Sequence, residues 1–106
     1  MQVLNDGASA GLVDGPVHRA LFQRPTGLAT LEDNAIAIAD CGNDRIRVLR
    51  DRTVSTLPVT GLCRPEALLF LGNDRLLCCD TGNDRLVMID LAAHTVAEVA
   101  IDGLPL

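Results

Sequence analysis

Aromatic residues are almost missing from this chain: Phe22 and Phe70 are the only two in 106 residues, and there is no Trp or Tyr. Any core must therefore be aliphatic, filled by Leu, Val, Ile and Ala, and the stacking platforms that hold single-stranded nucleic acid are lacking. Basic charge is also short. Nine Lys and Arg stand against fourteen Asp and Glu, giving a net charge of −5 and a pI near 4.7, which argues against nucleic acid as a partner. No run approaches the roughly 18 apolar residues of a membrane span. Met1 to Asp6 has neither the charged nor the apolar region of a secretory signal. The expected location is cytoplasmic, with no membrane partner.

The usual carriers of chemistry are sparse too. Only His18 and His94 are present, and neither has a spaced ligand or base partner. There is no Gly-rich phosphate cradle between a strand and a helix, and no Gly-x-Ser-x-Gly elbow. The four cysteines are Cys41, Cys63, Cys78 and Cys79. Cys78 and Cys79 are adjacent, so in a strand they point to opposite faces and cannot converge on one metal. The cysteines read as small buried hydrophobes in a reducing compartment. No cofactor is expected.

What the chain does have is a repeat. Asp40-Cys41-Gly42-Asn43-Asp44-Arg45-Ile46 returns as Asp80-Thr81-Gly82-Asn83-Asp84-Arg85-Leu86, an offset of 40 residues. Pro25 and Pro65, Leu28 and Leu68, Leu31 and Leu71, Ile36 and Leu76, and Ile38 and Cys78 keep the same register. Periods of about 20 to 50 residues indicate stacked repeat architectures. The chain divides into a leader, 1–24, and two units, 25–64 and 65–106.

Within each unit the pattern predicts four short strands. Leu28 to Leu31 opens the first unit, and a turn at Glu32-Asp33-Asn34 leads to Ala35 to Ala39, apolar on both alternating faces and so expected to be covered on both. After the turn at Asp40 to Asp44, where Gly42 and Asn43 suit positive φ, Arg45-Ile46-Arg47-Val48-Leu49 alternates as a half-exposed strand does. Thr53 to Leu57 alternates again, and Pro58 ends it. Residues 66–70, 75–79, 85–89 and 95–99 reiterate the series, with a two-residue insertion before the last. Four short strands per 40 residues are the pattern of a β-propeller blade. In the leader, Val3-Leu4 suits a short edge strand, Gly7, Gly11 and Gly15 describe a loop, and Ala20-Leu21-Phe22 is an apolar anchor expected to pack.

Ala20 to Ala29, with Pro25-Thr26-Gly27-Leu28-Ala29, and the later Ala39-Asp40-Cys41-Gly42-Asn43-Asp44-Arg45-Ile46 resemble the NHL repeat. The second unit is a looser copy, with Ala67 in place of Gly27 and Cys79 in place of Ala39. The resemblance implies an all-β fold of two four-stranded antiparallel blades. NHL proteins form propellers, commonly of six blades, so three copies of this chain would complete one as a homotrimer. In that case Val3-Leu4 and Thr95 to Val99 compete for one edge, or the leader crosses between chains.

The resemblance also implies a non-catalytic interaction module that binds a protein, a peptide or a small polar ligand on the rim formed by the Asp-x-Gly-Asn turns. Asp40, Asp80, Arg45 and Arg85 are candidates there, although a set present in every repeat more simply maintains the turn, with each aspartate paired to an arginine between blades. Positions that differ between repeats or precede the blade-opening prolines are Cys41, Thr81, Arg24 and Arg64. Cys41 lies near Arg45, but with no histidine in sequence it reads as an inert, half-exposed thiol. The alternative functions are a metal-dependent propeller enzyme of lactonase or lyase type, which needs converging oxygen or histidine ligands, or a fragment of a longer propeller.

Overall fold

The computed structural model describes residues 11–99. Among the described residues nine strands form two antiparallel sheets: β1 (Gly15–Pro16), β2 (Pro25–Thr30), β3 (Ile36–Asp40), β4 (Arg45–Arg50), β5 (Thr53–Thr56), β6 (Pro65–Gly72), β7 (Arg75–Asp80), β8 (Arg85–Asp90) and β9 (Thr95–Glu98). The first sheet runs β1-β5-β4-β3-β2 and the second β6-β7-β8-β9. Strands β2 to β5 and β6 to β9 match the two expected series. Among the described residues no helix is long and apolar enough to cross a membrane.

The hairpin turns are built by residues that tolerate left-handed backbone. Asp33 and Asn34, Asp51 and Arg52, and Asn73 and Asp74 all have positive φ, the paired geometry that matches the twist of two joined strands. In the turns after β3 and β7 the expectation of positive φ at Gly42 and Asn43 is corrected. The left-handed residues are Asp44 and Asp84, at φ 57 each. Gly42 is required for another reason: a Cβ there would sit 2.6 Å from the Gln23 carbonyl oxygen, to which the Gly42 N–H donates at 2.7 Å.

Each sheet presents two faces because residues alternate. Ala29, Leu31, Ala37, Ala39 and Ile46 of the first sheet enter the main core, together with Leu76, Cys78, Val87 and Ile89 of the second and Leu57, Val59 and Leu62 of the connecting segment. The sheets therefore stack, with alanines of one meeting larger side chains of the other. At the edge formed by β2 and β6 they come very close. A Cβ on Gly27 would lie 2.5 Å from the Glu66 carbonyl oxygen, and Thr26 Oγ1 donates to that oxygen at 3.1 Å. Burial in this core holds the Cys78 thiol up at about 12, with Asp80 and Cys79 adding to the rise.

The opposite face of the first sheet is covered in part by the leader, which leaves Leu28 exposed. Ala20 and Phe22 pack with Ile38 and Val54, so the apolar anchor does pack, and β3 is covered on both faces as expected. The leader also supplies β1, which pairs with β5 through Gly15 with Val54 and Pro16 with Thr53. An outer edge strand thus comes from Gly15–Pro16 on the chain's own first sheet; Val3-Leu4 lies outside the described residues. The expectation that Arg45 to Leu49 is half exposed is corrected at Arg47, whose side chain is wholly buried.

Gly27→Ala is expected to lower stability by about 2 kcal/mol, since the added methyl meets backbone that cannot rotate away. Urea denaturation checks this, and an unchanged midpoint would mean that the two sheets can separate there freely. Alkaline denaturation should follow Cys78. Its folded pKa is raised, so its contribution is full below the thiol's ordinary value of 9.0 and is lost as pH rises towards about 12. Cys78→Val should flatten that limb.

Candidate functional site

The end of the sheets that carries the Asp-x-Gly-Asn turns is organised by two buried carboxylates. Asp40 closes β3 and Asp80 closes β7; both side chains are fully buried. Asp40 Oδ1 accepts the backbone N–H of Gln23 at 2.8 Å, and Oδ2 accepts Asn43 Nδ2 at 2.8 Å and an Arg47 amino group at 2.8 Å. Asp80 repeats the scheme, accepting the Cys63 N–H at 2.7 Å, Asn83 Nδ2 at 2.8 Å and Arg85 Nε at 2.8 Å. Burial works to raise the Asp80 pKa, but these hydrogen bonds and the Arg85 charge outweigh it and hold the carboxyl below its ordinary value.

Both aspartates capture the segment that enters the first strand of their own sheet. Gln23 and Cys63 each give an N–H to the carboxylate and receive a glycine N–H at their carbonyl, at 2.7 Å in both cases. The next residues, Arg24 and Arg64, then turn the chain with φ of 49 and 48. Left-handed backbone directly before a proline is costly, and the double capture of the preceding residue is what maintains it.

The two sheets differ in the arginine they use. Asp80 pairs with Arg85 within the second sheet, not across to the first. Asp40 does not pair with Arg45, which donates instead to the Asp44 carbonyl. Its partner is Arg47, two residues on, which also donates to the Leu21 carbonyl at 2.7 Å, the Val13 carbonyl at 2.9 Å and Asp14 Oδ1 at 3.0 Å. The Arg47 guanidinium lies 4.8 Å from the centre of the Phe22 ring, a cation–π contact strengthened by burial. Thr56 donates to the same Asp14 oxygen at 2.7 Å. One side chain thereby fastens β4, the turn and the leader together.

The eight residues singled out from the sequence all fall at this end of the two sheets. Asp40 and Asp80 are spent on the internal network. Cys41 is buried, not half exposed. Arg24, Arg64 and Thr81 are exposed, and Arg45 and Arg85 partly so. Arg47 and Asp14 escaped the sequence reading. The signal for Arg47 was its break with the repeat, since the position 40 residues on is Val87. Among the described residues no three His, Cys, Asp or Glu side chains converge as metal ligands would.

The architecture is that of an all-β repeat protein made of stacked antiparallel sheets. The family model of the NHL repeat matches residues 22–49, from Phe22 into β4, so this stretch is similar to an NHL repeat. No curated protein matches the chain.

Arg47→Met should destabilise the protein by about 3 kcal/mol, as expected when one partner of a buried ion pair is removed; urea unfolding measures it. The acid limb reports on Asp80. Because its folded pKa is lowered, its contribution is full above the ordinary carboxylate pKa of about 4 and is lost as pH falls below it. Asp80→Asn should make stability less dependent on pH in that range, and an unaltered slope would contradict the assignment.

Proposed function

We propose that this protein is a non-catalytic interaction module whose two sheets are propeller blades, and that three copies join head to tail into a six-bladed ring. The observation that carries this reading is the outer face of the second sheet. Leu69 and Leu71 are exposed there, with Leu77, Cys79, Leu86 and Met88 only partly buried. No described residue covers it as the leader covers the first sheet. An apolar sheet face of this extent is suited to contact with protein. The NHL repeat in residues 22–49 supports the propeller reading, and a two-blade unit completes six blades in three copies.

The ligand-facing surface is the rim of the turns after β3 and β7. Arg24, Arg45, Arg64, Thr81 and Arg85 present guanidinium and hydroxyl donors there, which suit a protein or peptide segment with carboxylates or carbonyl oxygens, or a small polar ligand. The four free cysteines fit a reducing compartment, and we place the protein in the cytoplasm.

Light scattering across a concentration series tests the assembly. The expected result is a stable species at three times 11.3 kDa. A monomer throughout, or a mass that climbs without limit, would sink the closed ring. Peptides selected against the assembled protein should lose binding to an Arg24→Ala/Arg64→Ala variant that keeps its fold and mass.

A further inference from the structure

We infer that the outer face of the second sheet docks on a second copy of this chain by inserting Leu69 into an apolar pocket beside that copy's Leu28. The inference rests on the self-assembly proposed above and specifies its contact. Leu69 is 56% exposed and Leu28 is 66% exposed, and they belong to opposite outer faces of the two-sheet stack.

The internal contact between the sheets supplies the pattern. Within the chain, Ala29 of the first sheet shares a core with Leu62, Leu68 and Cys78. Moving each position by the repeat offset of 40 sends Ala29 to Leu69, and maps Leu62, Leu68 and Cys78 back onto Phe22, Leu28 and Ile38. Those three residues, with Pro25, Thr26 and Gly27, line a cavity of about 270 Å³ on the outer side of the first sheet. In register, Leu28 opposes Ile38 across β2 and β3, so both face the same way. The molecule thus exposes an apolar knob on one end and an apolar socket on the other, at the two places that the internal contact brings together.

The second contact is not a copy of the first. A methyl at position 27 would stand 2.5 Å from the Glu66 carbonyl oxygen, and Ala67 carries that methyl on the open face. A second copy must therefore stand further off than the two sheets do within one chain. The side chains allow for this, since Leu69 and Leu77 replace Ala29 and Ala37 on the advancing face. A longer knob spans the wider gap. One polar stitch has its counterpart as well. Asp44 Oδ1 accepts the Arg64 N–H at 2.7 Å across the internal contact, and the same offset sets Asp84 of one copy opposite the Arg24 N–H of the next. Because knob and socket lie on different faces, the contact is heterologous and propagates head to tail.

Two charged variants and their mixture test this. Leu69→Glu and Leu28→Glu change exposed side chains, so each should keep the urea midpoint that the wild type shows at concentrations too low for assembly, where mass action adds no stability. Each alone is expected to run as a monomer of 11.3 kDa under conditions where the wild type assembles. Mixed in equal amounts, they should form a species of twice 11.3 kDa, because the intact Leu69 of one meets the intact socket of the other. Assembly of Leu28→Glu at the wild-type level would overturn the inference while leaving self-assembly standing, and so would a mixture that stays monomeric. A wild type that is monomeric at every concentration would overturn both.

Discussion

Each sheet depends on one buried carboxylate, Asp40 at the end of β3 and Asp80 at the end of β7. Asp40 and Asp80 accept three hydrogen bonds each, from an incoming backbone N–H, from the asparagine of the turn and from an arginine. A carboxylate removed from water must be fully paired to be tolerable. That requirement dictates the turn: an asparagine three residues on, and a glycine whose missing side chain lets the captured segment approach. The strand that opens the sheet is positioned by the same bonds, because the captured residue lies two places before its first proline.

The choice of arginine shows how one motif serves two environments. In the second sheet, position 87 faces the apolar contact with the first sheet and is occupied by Val, so the charge comes from Arg85 at the rim. In the first sheet the equivalent face lies under the leader, whose backbone carbonyls need donors. Arg47 meets those carbonyls and the aspartate together. A guanidinium, with several donors in a fixed plane, can do this where an ammonium could not.

For function, the division between the rim and the faces matters most. The repeated polar residues that look like a binding set are largely consumed in holding the repeat. What remains outward is a scatter of arginines at one end and an apolar sheet face on one side. In the function proposed above, the arginines meet a protein or peptide segment and the apolar face meets another copy of the chain.

Strand positions, turns and stacking were legible in the sequence because they follow from local rules: alternation of apolar residues, turn residues that tolerate left-handed backbone, and an offset of 40 that reproduces both. The burial of Arg47 was not legible, because an arginine in an alternating strand looks solvated unless the leader is known to fold back over it. The location of the left-handed turn residue at Asp44 was missed for a related reason, since Gly42 is demanded by the nearby Gln23 carbonyl and not by its own dihedral angle. By itself the sequence determined two all-β repeats with an aliphatic core and an acidic, aromatic-poor composition. Only the tertiary structure decided which face of each sheet is buried, which arginine meets which aspartate, and where the leader lies. Those outcomes depend on contacts between residues far apart in the chain, and a repeat pattern treats the two units as equal until packing makes one the inside and the other the edge.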